Sequence, residues 1–113
     1  MSSYQEKLAF LTQEAGKLGI EINSVLFDRV AKSLGPSLYN EDASLVSSSD
    51  PEELNRVRNH FLKGKLGIED EQSCNDAIEE VIAQFGSSNR YKHRAIFYYL
   101  LVVKFGKASL YSE

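Results

Sequence analysis

A chain of 113 residues, 42% hydrophobic and 26% charged, has ordinary globular composition and enough length to bury a core without staples, so one domain spanning 1–113 is expected. One cysteine, Cys74, excludes an internal disulfide and fits a reducing cytoplasm, and a net charge of −3 weighs against a nucleic-acid footprint. The stretch MSSYQEKLAF lacks the basic region and apolar run of a signal peptide, and the longest apolar run, Ala95 to Val103, is about half of a membrane span, so the expectation is a soluble cytoplasmic protein with no membrane partner.

Glycines punctuate the chain. Gly19, Gly35, Gly67, Gly86 and Gly106 each follow a segment of helical periodicity, where a left-handed C-terminal residue is wanted, and this predicts five helices. The first runs from about Ser3 to Leu18, with Tyr4, Leu8, Leu11, Ala15 and Leu18 on one stripe. The second starts after Asn23 or Ser24 and carries Phe27, Val30, Ala31 and Leu34 inward. The third has the best start signal: Asp50 as cap, Pro51 in the first turn and Glu53 at the reciprocal capping position. Leu54, Val57, Phe61 and Leu62 follow on its inner face. The fourth spans about Asp70 to Phe85, with Cys74, Ala77, Ile78, Val81, Ile82 and Phe85 inward; Cys74 reads as a small core residue among acids, which are the wrong neighbours for a thiolate. The fifth, about 89–105, is apolar all round. A buried strand competes for AIFYYLLVV, but a cap from Ser87, Ser88 and Asn89 and a pattern reaching Phe105 favour a central helix that the others surround.

Between the second and third helices lies GPSLYNEDASLVSSSD, residues 35–50, longer than most connections in compact domains. Leu38, Tyr39, Ala43, Leu45 and Val46 give it apolar surface to bury, and Asn40 and Asp42 can close local turns. The expectation is an ordered connector with a short helical turn, docked through Leu38, Leu45 and Val46. Glu41 and Asp42 are expected to face the basic stretch Arg90 to Arg94.

Charge is blocked along the chain: −5 over residues 1–54, +4 over 55–66, −6 over 67–88 and +4 over 89–113. Such blocks suit complementary packing or a bipolar surface. The basic stretches are Arg56, Arg58, Lys63 and Lys65, and Arg90, Lys92 and Arg94 with Tyr91 interleaved. Cations at a helix start oppose the dipole, so acidic neighbours or a bound anion should offset the second stretch.

Motifs for catalysis are lacking. His60 and His93 form no HxxxH or HExxH pattern, and there is no CxxC. Ser47, Ser48 and Ser49 have no G-x-S-x-G elbow and read as capping and turn residues. KGKLG, residues 63–67, has neither the preceding strand nor the order of a phosphate loop and reads as a helix end. No catalytic residue, cofactor or metal site is expected.

With these segments laid out, LGPSLYNEDASLVSSSDPEELNRVRNHFLKGKLG and SSNRYKHRAIFYYLLVVKFGKASLY resemble a family of small bacterial proteins catalogued only as a domain of unknown function. The two strings cover about half the chain. The resemblance implies a compact all-helical domain of bacterial origin and no activity. Tyr39, Asn40, Asp42 and Asp50 match the family pattern, whereas asparagine and tyrosine are commoner at positions 91 and 93, which makes His93 a poor candidate for a shared catalytic role.

The expected fold is therefore all-α: one compact domain of about five helices, the last central, with an ordered connector at 35–50. The expected function is a binding module acting through contacts with an unknown protein partner or with a second copy of itself. The alternative is nucleic-acid or phosphate-ligand binding through residues 56–65 and 90–94. Candidate binding residues are Tyr39, Asn40, Asp42, Arg56, Arg58, Arg90, Lys92 and Arg94.

Overall fold

Helices form where the periodicity places them: α1 (Ser3–Lys17), α2 (Ser24–Ser33), α3 (Pro51–Arg56), α4 (Glu71–Phe85) and α5 (Arg94–Lys104). The computed structural model describes residues 3–40 and 43–111. Two 3-10 turns, Gly35–Tyr39 and Ala108–Tyr111, and a π-helical segment, Val57–Lys65, complete the regular structure, and the described residues contain no strand. Start signals read from the sequence are used at two helices: the Asn23 side chain accepts from the N–H groups of Val25 and Leu26, and Asp50 from that of Glu52. At α4 the Asp70 side chain caps in the same way, accepting from the Ser73 N–H. All five punctuating glycines have positive φ; at Gly86, which ends α4, φ is 94°, a conformation that would strain any side chain.

Three local expectations are corrected. The third helix is not α-helical throughout: α3 runs on into nine residues of π-helix, Val57–Lys65, closed by a bond from the Leu66 N–H to the Phe61 carbonyl. Glu53 does not close a capping box; its carboxylate is buried and reaches Arg94 and Arg56 instead. The fifth helix starts at Arg94 rather than near residue 89. Its first expected turn is held open by other bonds: the Asn89 side chain accepts from the Tyr91 N–H, and the Lys92 carbonyl accepts from Val46. An isolated antiparallel bridge joins Leu45 to His93.

α5 is central, as its all-round apolarity requires. It packs on α1, α2 and α4, and its Tyr98 stacks on Phe61 of the π-helical segment with ring centroids 3.8 Å apart. Ala95, Ile96, Phe97, Tyr99, Leu100, Leu101 and Val102 are all buried; only from Val103 onward does the helix emerge. The six inward positions expected of α4 are buried too, Cys74 among them, and burial raises the pKa of its thiol. Polar ties fix the surrounding helices. Tyr4 donates to the Asp28 carboxylate (2.5 Å) and carbonyl (3.0 Å), joining α1 to α2, and the Tyr99 hydroxyl accepts from the Asn23 N–H (2.8 Å), joining α5 to the start of α2.

The connector is ordered along its described length. Leu38 and Val46 are buried in the core and Leu45 is half-buried. Its 3-10 turn, Gly35–Tyr39, is the short helical turn expected. The expected meeting of Glu41 and Asp42 with residues 90–94 lies outside the described residues.

Candidate functional site

Arg94 connects three parts of the chain. Its Nε donates to the Ala43 carbonyl (2.6 Å), one terminal nitrogen to the Leu45 carbonyl (3.2 Å), and the other to Glu53 Oε2 (2.9 Å) and to the Tyr98 hydroxyl (3.0 Å). Its backbone N–H donates to the Ser44 carbonyl (2.7 Å). The side chains of Arg94 and Glu53 are 14% and 9% exposed, so this is a buried pair with its donors and acceptors matched. Burial opposes the charge on Arg94, but the oxygens of Glu53 and Tyr98 outweigh it and raise its pKa. Glu53 also takes Arg56 on its second oxygen (3.2 Å). One arginine from each basic stretch, Arg56 and Arg94, thus meets the same buried carboxylate.

Most of the remaining basic candidates are also engaged. Arg58 reaches Asn55 and Asn75, Lys63 pairs with Glu71 at 2.9 Å, and Lys65 lies 5.2 Å over the Tyr111 ring. Arg90 is exposed, its guanidinium 6.0 Å from the centre of the Tyr91 ring. Asn40 is a turn former, its side chain accepting from the Ala43 N–H, and Tyr39 stands 49% exposed at the end of the 3-10 turn. Asp42 lies outside the described residues.

What sequence reasoning missed is the place where the connector meets the loop before α5. The Val46 N–H donates to the Lys92 carbonyl (2.8 Å), and this pairing draws together Ser47, Ser48 and Ser49 on one side and Ser87, Ser88 and Asn89 on the other. Between them opens a pocket of about 460 Å³, lined also by Arg90 and Lys92. Lys92 is 3% exposed. Its ammonium donates to the carbonyls of Ser87 (3.2 Å) and Asn89, and no carboxylate among the described residues pairs with it. Burial alone pushes its pKa below the usual lysine value. None of the five serine hydroxyls hydrogen-bonds another described residue. The available signal was the shared composition of SSS at 47–49 and SSN at 87–89, both read as capping residues.

Beside this pocket His93 is buried at the start of α5. Among the described residues neither ring nitrogen has a hydrogen-bond partner, and Nε2 stands 3.8 Å from Glu14 Oε1, too far for a hydrogen bond. The Phe10 ring meets the imidazole edge-on at 5.5 Å. Burial lowers the His93 pKa and the Lys7 charge adds to this; Glu14 only partly opposes them. No three His, Cys, Asp or Glu side chains among the described residues could together hold a metal ion, and no described helix is long and apolar enough to cross a membrane.

No curated protein matches the chain. The family model described as Protein of unknown function (DUF2853) matches residues 9–109, a span that holds the connector, both serine loops and the Arg94–Glu53 pair, and the chain belongs to that family.

Proposed function

We propose that this protein is a binding module that acts through protein contacts, and that its docking surface is the aromatic face around the start of α5. One observation carries the reading: Phe10 and Tyr91, each in contact with buried His93, stand 43% and 58% exposed, each with a cation over its ring. Phe10 touches the imidazole, and the Tyr91 carbonyl accepts from the His93 N–H (3.0 Å). Aromatic rings flanked by arginine or lysine have the composition of interface anchors, because they offer large rigid apolar area with a charged rim. Nucleic-acid binding through residues 56–65 and 90–94 has less to work with. Arg56, Arg58, Lys63, Lys65 and Arg94 already have partners inside the fold, so few cations are free to replace counterions on a phosphate backbone.

The test compares proteins retained by the tagged wild type at native abundance with those retained by a Phe10→Ser, Tyr91→Ser double variant. Both positions are exposed, so the variant should melt close to wild type. The expected result is a specific partner, or a second copy of the chain, that the wild type holds and the variant loses. Identical retention by both proteins overturns the proposal.

A further inference from the structure

We propose that the pocket between the two serine loops is a binding site for the oxyanion group of a small molecule, a phosphate ester above all, with Lys92 and Arg90 as its countercharge. The inference stands on geometry independent of the aromatic face. Lys92 is a 3% exposed ammonium with no carboxylate beside it among the described residues. The carbonyls of Ser87 and Asn89 solvate that charge with dipoles, but they do not neutralise it. A buried charge with no counterion among the described residues is costly, and the matching group of opposite sign is an anion. Structural lysines and arginines elsewhere in this fold show the contrast, since Arg94, Arg56 and Lys63 each face a carboxylate.

The walls fit the same ligand. Five serine hydroxyls, all without a bond to another described residue, line the space with donors that can rotate to suit. Arg90 adds a planar donor at the exposed side. A volume of about 460 Å³ is that of a small-molecule site and leaves no room for a nucleic-acid duplex. Both walls are also positioned by the fold: the Val46–Lys92 backbone bond and the Arg94 bonds to Ala43, Ser44 and Leu45 lock one loop against the other, so the donors are in place before a ligand arrives.

Titration of the ¹⁵N-labelled full chain with inorganic phosphate, against chloride at matched ionic strength, tests this. Glycerol phosphate serves as the ester probe. The expected result is a saturable set of amide shifts confined to residues 45–49 and 87–92, with Lys92→Met weakening the affinity about tenfold or more. Stronger binding of the ester than of phosphate assigns the site to an esterified ligand, and equal binding assigns it to the free anion; both keep the oxyanion chemistry. No shifts beyond those of chloride, shifts centred on residues 56–65, or an unchanged affinity in the Lys92→Met variant would overturn the proposal. Should that variant fail to fold, exposed Arg90→Gln decides alone: weakened phosphate binding supports the site and unchanged binding removes it. Phe10 and Tyr91 play no part in this readout, so it stands or falls apart from the protein-docking proposal.

Discussion

His93 is a buried imidazole with no hydrogen-bond partner on either nitrogen among the described residues, and burial disfavours its charged form. Its folded pKa lies below the ordinary value near 6.5, while the unfolded chain keeps that value. As pH falls through 6.5 the unfolded state takes up the proton first, and stability must drop with it. The contribution is fully present above that pH and is lost as pH falls through the folded pKa. Glu14 and Lys7 are the charges that face the ring. Denaturation between pH 7 and 5 should therefore show falling stability in the wild type and a shallower slope in His93→Phe; equal slopes would place the pH dependence elsewhere. Arg94 is the opposite case, a buried charge with every partner matched. Removing one member of such a pair strands the other, which costs about 3–5 kcal/mol. Arg94→Ala should lower stability by an amount in that range. Arg94→Lys should recover little of it, because an ammonium cannot span the Ala43 and Leu45 carbonyls and Glu53 at once. Urea unfolding of both variants measures this directly.

At the scale of elements, the connector illustrates how a long irregular stretch stays ordered. Its backbone groups find partners on the segment before α5: Val46 N–H on Lys92, and the Ser44 carbonyl on the Arg94 N–H. Leu38 and Val46 supply the burial that offsets the cost of ordering it. Amide hydrogen exchange should accordingly show the Val46 and Arg94 N–H groups protected well beyond those of exposed turns. Fast exchange at both would mean that the connector opens freely. The same contacts explain why α5 starts four residues later than its cap signal suggests. Ser87, Ser88 and Asn89 have the right chemistry for a cap, but Asn89 already accepts from Tyr91 and Lys92 turns back onto the loop carbonyls.

For the molecule as a whole, α5 carries the fold because α1, α2 and α4 all pack on it. Phe97 is fully buried and stacks on Phe85 of α4 with centroids 5.9 Å apart. A carboxylate there would be buried without a partner, at a cost of several kcal/mol, on the order of the whole stability of a domain. Phe97→Asp should leave no cooperative thermal transition, and a transition near that of wild type would show that the core lies elsewhere. Much of this architecture was legible in the residues. Inward faces follow from apolar repeats of three and four, helix ends from Asn23, Asp50 and the glycines, and the docking of the connector from Leu38 and Val46. All of these are short-range signals, set by neighbours within a turn or two or by whether a side chain prefers water. The partnerships that shape the candidate sites are not of that kind. Glu53 is well placed for a local capping bond, yet it pairs with Arg94, 41 residues away, because α5 brings a guanidinium to it in a buried setting where a charge-assisted bond outweighs a cap. The serine loops became a pocket, and Lys92 its buried cation, only when the connector was laid against the entrance to α5. Spacing along the chain does not encode that meeting; the packing of helices around α5 does.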